Sequence, residues 1–150
     1  MKKFDFSLQK VLEIKEQILK NLKIELNNMN QQLKNIDIDI QNLLAKYNET
    51  NNEFNEKSSV SMTIGLMSYY KMYMNSILKN VEKKEEDKTI LNKKIEAKRH
   101  EIVNMNIEIS SIEKLKEKEY EKYNQSVAKS EEIFIEEFVS NTRMIKQYMF

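Results

Sequence analysis

The fold of this chain is decided by residues 8–54, which read LQKVLEIKEQILKNLKIELNNMNQQLKNIDIDIQNLLAKYNETNNEF. An almost unbroken pair of apolar series runs through this stretch, each with a spacing of seven residues. The first is Leu12, Leu19, Leu26, Leu33, Ile40, Tyr47 and Phe54, and the second is Leu8, Lys15, Leu22, Met29, Ile36 and Leu43. A stripe of this spacing becomes a buried seam when one helix supercoils around another. The stretch therefore predicts a long coiled-coil helix that needs a partner helix.

The composition favours an all-α protein. The 150 residues are 33% charged and include one glycine, no proline and no cysteine. Strands in a sandwich or barrel need tight turns, which depend on glycine, proline and a few substitutes for them. The sequence therefore predicts a chain that is nearly all helix.

The same composition argues against several classes of function. A net charge of +1 gives no field that would attract nucleic acid. Thiolate metal sites are excluded because the chain has no cysteine, and one glycine cannot build a phosphate-binding loop, so we expect no metal, no cofactor and no direct nucleotide binding. The acidic pairs share no predicted pocket, so we expect no enzyme. Neither a signal peptide nor a membrane span is expected, which predicts a soluble cytoplasmic protein.

One bend is predicted near the middle of the chain. Residues 57–65, KSSVSMTIG, are rich in small hydroxyl side chains and contain Gly65, which suits a left-handed backbone. We expect one elongated coiled-coil domain over residues 1–150, with helix 1 at about 5–57, a bend at about 58–65 and helix 2 at about 66–148. The fold class is a long antiparallel two-helix hairpin with a C-terminal helical overhang.

The second helix repeats the heptad, but lysines occupy three of its seam positions. Lys84, Lys88 and Lys98 stand where apolar side chains are expected. One interpretation is a solvated layer in which lysines reach Asp37 or Asp39 of the first helix.

The second arm is longer than the first, so residue 4 is expected beside about residue 118. An apolar stripe continues beyond that point, but it has no partner within the chain. Its members are Tyr120, Tyr123, Val127, Phe134, Phe138, Ile145 and Tyr148. Homodimerisation or a loosely ordered tail would explain it, and so would insertion into a larger assembly.

Aromatic and methionine residues are concentrated just after the bend. In residues 62–78 they occur all around the helix, and one seam cannot bury them all. They could cap the hairpin against Phe54 and Val60. Alternatively, Tyr69, Met72, Tyr73 and Leu78 form an exposed patch for a partner, since tyrosine and methionine are favoured at interfaces.

Several motifs, taken in order, resemble the FliJ family of flagellar type III export proteins. They are Phe4-x-Phe6-x-Leu8-x-x-Val11-Leu12, then Gly65 with Tyr70-x-x-Tyr73-x-x-x-Ile77, then Ile112-Glu-Lys-Leu115-Lys-Glu-Lys followed by Glu136-Glu137. The resemblance implies a noncatalytic stalk and escort of the export ATPase, which links the ATPase ring to the export gate and aids the delivery of substrates and chaperones. The implied partners are the FliI hexamer, the gate protein FlhA and export chaperones, with no nucleic acid. The implied location is cytoplasmic, at the periphery of the inner-membrane export apparatus.

The resemblance also implies two binding surfaces. The gate would be contacted near the bend by Tyr73, Ile77, Asn80 and Lys84 of the second arm and by Leu44 and Tyr47 of the first. The ATPase ring would be contacted by Tyr120, Tyr123, Val127, Phe134 and Phe138 of the overhang. Two alternatives are unrelated to export: a general coiled-coil chaperone that holds apolar clients at the bend, and a dimeric structural tether.

Overall fold

The structure, a computed structural model, describes residues 2–149 and consists of two α-helices that pack against each other as a hairpin. Helix α1 is Gln9–Val60, with 52 residues, and helix α2 is Ile64–Met149, with 86 residues. The predicted all-α two-helix hairpin is confirmed. The chain forms two compact units, to which both helices contribute. We call residues 20–103 the bend unit, and residues 2–19 with 104–149 the terminal unit.

The break between the helices is shorter than the sequence suggests. Residues 61–63 alone lie outside helix. Ser58 and Ser59 are still helical, and their hydroxyls donate to the carbonyl oxygens of Asn55 (3.2 Å) and Glu56 (2.7 Å) in the preceding turn, an arrangement that a helix accommodates. Helix α2 starts after Thr63, whose Oγ1 accepts a hydrogen bond from the backbone N–H of Leu66 (3.2 Å), as an N-cap residue does.

The role predicted for Gly65 is wrong. Its φ is not positive, and it lies in the first turn of α2 rather than in a left-handed bend. A Cβ added there would meet no atom within 4 Å. The chain reverses direction without a glycine in a left-handed conformation, and the N-cap at Thr63 starts the new helix.

The bend unit is held together by the predicted seam. Its buried apolar residues are Ile40, Tyr70, Ile77, Leu91 and Ile95. Thr50 continues the second heptad series after Leu43 and is also buried. Its hydroxyl donates to the carbonyl oxygen of Lys46 (2.7 Å), so a polar side chain is accepted in the seam without an unpaired group.

Lysines at seam positions of the bend unit pair with acidic residues of α1. Lys84 Nζ lies 3.2 Å from Asp39 Oδ2, and Lys88 Nζ lies 2.7 Å from Asp37 Oδ1. These two contacts confirm the interpretation of a charged layer that reaches Asp37 and Asp39. The hydrogen bond from Lys88 to Asp37 raises the pKa of that lysine.

The terminal unit has its own small core. Phe6, Leu12 and Ile109 are buried in it. Lys15 Nζ lies 2.7 Å from Glu108 Oε2, and Lys116 Nζ donates to Gln9 Oε1 over 2.7 Å. The terminal unit therefore follows the pattern of the bend unit, with an apolar seam edged by lysine contacts between the helices.

Candidate functional site

A continuous apolar stripe lies on α2 within the terminal unit. We call Tyr120, Tyr123, Val127, Phe134, Phe138 and Ile145 the C-terminal stripe. Tyr120, Val127 and Phe134 follow one another at intervals of seven residues, as do Phe138 and Ile145. Phe138 comes four residues after Phe134, and Tyr123 comes three after Tyr120. These spacings place all six side chains on one face of the helix. The side chains of Phe134 and Phe138 are 69% and 66% exposed, although large apolar side chains normally find cover.

The first two members of the C-terminal stripe are in contact with the start of the chain. The ring of Phe4 packs edge-on against Tyr120, with centroids 5.1 Å apart, and lies 5.6 Å from the ring of Tyr123. Tyr123 also donates its hydroxyl proton to the carbonyl oxygen of Lys2 (2.8 Å). Residue 4 was expected beside about residue 118 and lies beside residues 120 and 123 instead. The part of α2 that has no partner among the described residues therefore begins after Tyr123, further along than predicted.

A second group of exposed apolar side chains lies beside the bend. Val60, Ile64, Tyr69 and Met72 are exposed, although Tyr70 packs against Phe54 with ring centroids 5.8 Å apart. The interpretation of these residues as a cap on the hairpin is therefore wrong for Tyr69, Met72 and Val60. Tyr69, Met72 and Tyr73 form an exposed patch, as the alternative predicts, whereas Leu78 is exposed on a different flank of α2.

Two tyrosines of this patch form a flat surface. Tyr69 and Tyr73 stack with centroids 6.5 Å apart and ring planes only 4° from parallel. They are one turn apart on α2, so their rings lie side by side on one flank of the helix. We call this pair the tyrosine face.

A different flank of α2 carries a groove. Tyr47 of α1 lines it together with Lys71, Met74 and Leu78 of α2, and its volume is about 320 Å³. A neighbouring cavity of about 350 Å³ continues it towards Ile64 and shares Lys71. We call the first of these the Tyr47 groove.

The six side chains predicted to contact the gate do not form one surface. Tyr73 belongs to the tyrosine face and Tyr47 to the Tyr47 groove. Ile77 is 4% exposed in the seam, and Lys84 is paired with Asp39. Asn80 and Leu44 are exposed. Ile77 and Lys84 therefore hold the helices together, while the other four present side-chain atoms at the surface.

Lys57 links the end of α1 to the start of α2 behind the tyrosine face. Its Nζ donates to the hydroxyl of the buried Tyr70 (2.9 Å) and lies 3.3 Å from Glu53 Oε1. The hydrogen bond with Tyr70, followed by that with Glu53, raises the pKa of Lys57. The lysine thus stays charged at neutral pH and ties the two helix ends together.

Among residues 2–149, no group of three or more histidine, aspartate or glutamate side chains is placed to hold a metal ion. None of the described helices is both long and apolar enough to cross a membrane.

These features define a class of protein: a helical coiled-coil hairpin whose exposed apolar surfaces are suited to contact other proteins. Residues 4–146 match the sequence model of the family described as Flagellar FliJ protein. The chain belongs to that family, as the motifs of its sequence indicate. Searches of curated proteins and of solved structures each returned no match. Members of the FliJ family are noncatalytic components of the flagellar export apparatus, so the chain is a component of that apparatus.

Proposed function

We propose that the protein is a noncatalytic stalk and escort that joins the hexameric export ATPase FliI to the export gate FlhA. In this role it also aids the delivery of export chaperones and substrates, at the cytoplasmic periphery of the inner membrane. It performs no chemical step. Its contribution is to hold two larger proteins through separate surfaces of one hairpin.

The C-terminal stripe is the proposed contact with the ATPase. The observation that carries the proposal is the exposure of Phe134 and Phe138 on a helical face without a partner among residues 2–149. Covering one such side chain stabilises a complex by roughly 1.5–3 kcal/mol, before the cost of ordering the partner. Tyr120, Tyr123 and Val127 extend the same face towards the start of the chain. A groove of the ATPase that accommodates the helix would bury all five of these side chains.

The proposed contact with the gate lies at the bend unit. Tyr73 is its central residue because its ring lies parallel to that of Tyr69 on one exposed flank, and tyrosine is favoured at protein interfaces. Asn80 continues this flank of α2, while Leu44 and Tyr47 form a second candidate area. Ile77 and Lys84 act by fixing the position of α2.

The experiment that tests the ATPase contact uses the full-length protein and its cognate FliI. We expect the wild-type protein to promote ring assembly and to raise ATP turnover. A Phe134→Ala/Phe138→Ala variant is expected to need at least about tenfold more protein for the same effect, since each 1.4 kcal/mol of lost binding energy is a factor of ten.

The chain supplies a matched control for this variant. Ile135 and Val139 are also exposed, and each follows a stripe residue by one position, so each is turned about 100° away from the stripe. An Ile135→Ala/Val139→Ala variant removes a smaller exposed apolar area at the same spacing from a neighbouring flank, and it should behave as the wild type. If the wild-type protein changes neither assembly nor turnover, the proposed contact with the ATPase is wrong.

A further inference from the structure

The chain starts with a segment that is not helical but is packed. Residues 2–8 precede α1, and we call them the N-terminal segment. Phe6 of this segment is buried, and its carbonyl oxygen accepts a hydrogen bond from the N–H of Gln9 (3.0 Å). Phe6 therefore fixes the part of the segment that is next to α1. Of the residues before Phe6, Lys2 and Phe4 contact α2.

Phe4 and Lys2 make their contacts with the C-terminal stripe. Phe4 packs on Tyr120 and Tyr123, and the carbonyl oxygen of Lys2 accepts the hydrogen bond from Tyr123. Tyr120 stands seven residues before Val127, on the same face of α2 as Phe134 and Phe138. The N-terminal segment thus partly covers the beginning of the stripe. Tyr120 is still 51% exposed and Val127 is half-buried, while Phe134, Phe138 and Ile145 are exposed.

This cover is light. Phe4 is only half-buried, and Lys2, Lys3 and Asp5 are exposed. A cavity of about 570 Å³ lies against the ring, lined by Phe4, Leu12, Lys116 and Tyr120 among others. An aromatic ring with open space beside it forgoes much of the contact energy of a close-packed one. Removing Phe4 from the stripe therefore costs little, while Phe6 can stay in place.

We propose that the N-terminal segment is an intramolecular competitor for the ATPase on the C-terminal stripe. This inference rests on the proposed contact between the stripe and the ATPase. In the free protein Phe4 covers Tyr120 and Tyr123. When the ATPase binds along the stripe, it takes the place of Phe4 and the backbone of Lys2. The apparent affinity of the protein is lowered by the fraction of molecules in which the segment lies on the stripe.

The first test is the affinity of full-length variants for the cognate ATPase. Phe4→Ala removes the ring that covers the stripe, and we expect it to bind about three- to tenfold more tightly than the wild type, the range set by the strength of aromatic pairs. Asp5→Ala is the matched control, because Asp5 is an exposed neighbour in the same segment. It should bind as the wild type does. Circular dichroism checks that both variants keep the helical content of the wild type.

The second test needs no variant. Hydrogen exchange of the wild-type protein is compared with and without the ATPase, in peptides that cover residues 2–8 and residues 127–145. We expect exchange to become faster in the first peptide and slower in the second. Slower exchange in both would mean that the N-terminal segment is part of the interface.

The outcomes separate the two proposals. If the wild type binds the ATPase and Phe4→Ala binds it equally or more weakly, the N-terminal segment is not a competitor, whereas the proposed contact with the ATPase is retained. No binding by any of the variants would overturn the ATPase contact, and the competitor with it. Tighter binding by Phe4→Ala, with faster exchange at residues 2–8, supports both.

Discussion

Lys98 Nζ lies 2.6 Å from Glu25 Oε2, across the seam between α1 and α2. Lys98 occupies a heptad position, and its side chain is only 16% exposed, while that of Glu25 is half exposed. A second carboxylate, Glu101 Oε2, lies 3.4 Å from the same Nζ. The ammonium group is thus held at the edge of the seam between two helices, with its aliphatic stem inside.

Replacing Glu25 should cost less than a buried ion pair would suggest. Glu25 is half exposed, so water screens the pair, and Glu101 remains as a partner for Lys98. We expect Glu25→Ala to lower the midpoint of thermal unfolding by about 2 °C. Lys98→Leu, which completes the apolar seam, should raise the midpoint. Circular dichroism at 222 nm measures both, and Glu96→Ala, which breaks only the exposed pair with Arg99, is the control with no expected change. A midpoint lowered by Lys98→Leu would contradict this view of the seam.

The lysine pairs predict a loss of stability at alkaline pH. Hydrogen bonds to Asp37 and Glu25 raise the pKa of Lys88 and Lys98, respectively, above the ordinary 10.5. A raised pKa in the folded state means that the stabilisation is complete below the unfolded pKa and is lost as the pH rises through the folded pKa. We expect the unfolding midpoint to be flat from pH 8 to 10 and to fall above about pH 10.5.

A variant isolates the contribution of the two lysines from that of the rest of the chain. A Lys88→Met/Lys98→Met variant keeps the apolar stems and loses the two titrating groups. Its midpoint should fall less steeply than that of the wild type above pH 10.5. Equal slopes would show that the two pairs contribute nothing to the pH dependence.

The start of α2 supplies a pair of substitutions with opposite effects. Gly65 is helical, and a Cβ added there would lie in open space, so Gly65→Ala should stabilise the protein by about 0.5–1 kcal/mol. Thr63→Ala removes the oxygen that caps the N–H of Leu66 and should destabilise it by about 1 kcal/mol. Urea unfolding followed by circular dichroism measures both. A destabilising Gly65→Ala would mean that the bend needs glycine after all.

The seam could be predicted from the sequence because it depends on a repeat. Ile40, Ile77 and Leu91 are buried where the heptad places them. The pairing of the seam lysines with Asp37 and Asp39 could also be predicted. A bend near residue 61 brings residues 30–39 of α1 opposite residues 80–89 of α2. The same rule brings Glu25 of α1 opposite Lys98 of α2, where the structure has them in contact.

The start of the chain and the bend surface could not be predicted in the same way. Phe4 lies outside α1, so no helical period places its ring against Tyr120. The family resemblance groups Tyr73 with Tyr47 although the two line different surfaces, because a motif does not show which flank of a helix a residue occupies. The spacing of Phe4 and Phe6 was the available signal, because alternate aromatic residues before a helix suit an extended segment packed on one side.

The bend unit offers two surfaces to the gate, and matched variants separate them. Tyr73 and Leu78 are similarly exposed, at 37% and 41%, but lie about 140° apart around α2. We expect Tyr73→Ala to weaken binding to the cytoplasmic part of FlhA by about tenfold and Leu78→Ala to leave it unchanged. Isothermal calorimetry with the full-length protein measures both affinities. Weaker binding by Leu78→Ala, with unchanged binding by Tyr73→Ala, would indicate that the gate binds at the Tyr47 groove instead.

The most direct test of the linking role is whether the protein bridges its two proposed partners. Immobilised cytoplasmic FlhA is incubated with FliI in the presence or absence of the protein, and the retained ATPase is measured. We expect retention that depends on the wild-type protein. Phe134→Ala/Phe138→Ala should remain on FlhA but retain much less ATPase, and Tyr73→Ala should bind the ATPase but remain on FlhA in much smaller amounts than the wild type, since each is expected to lose about tenfold in affinity. Retention of equal amounts of ATPase with and without the wild-type protein would contradict the linking role.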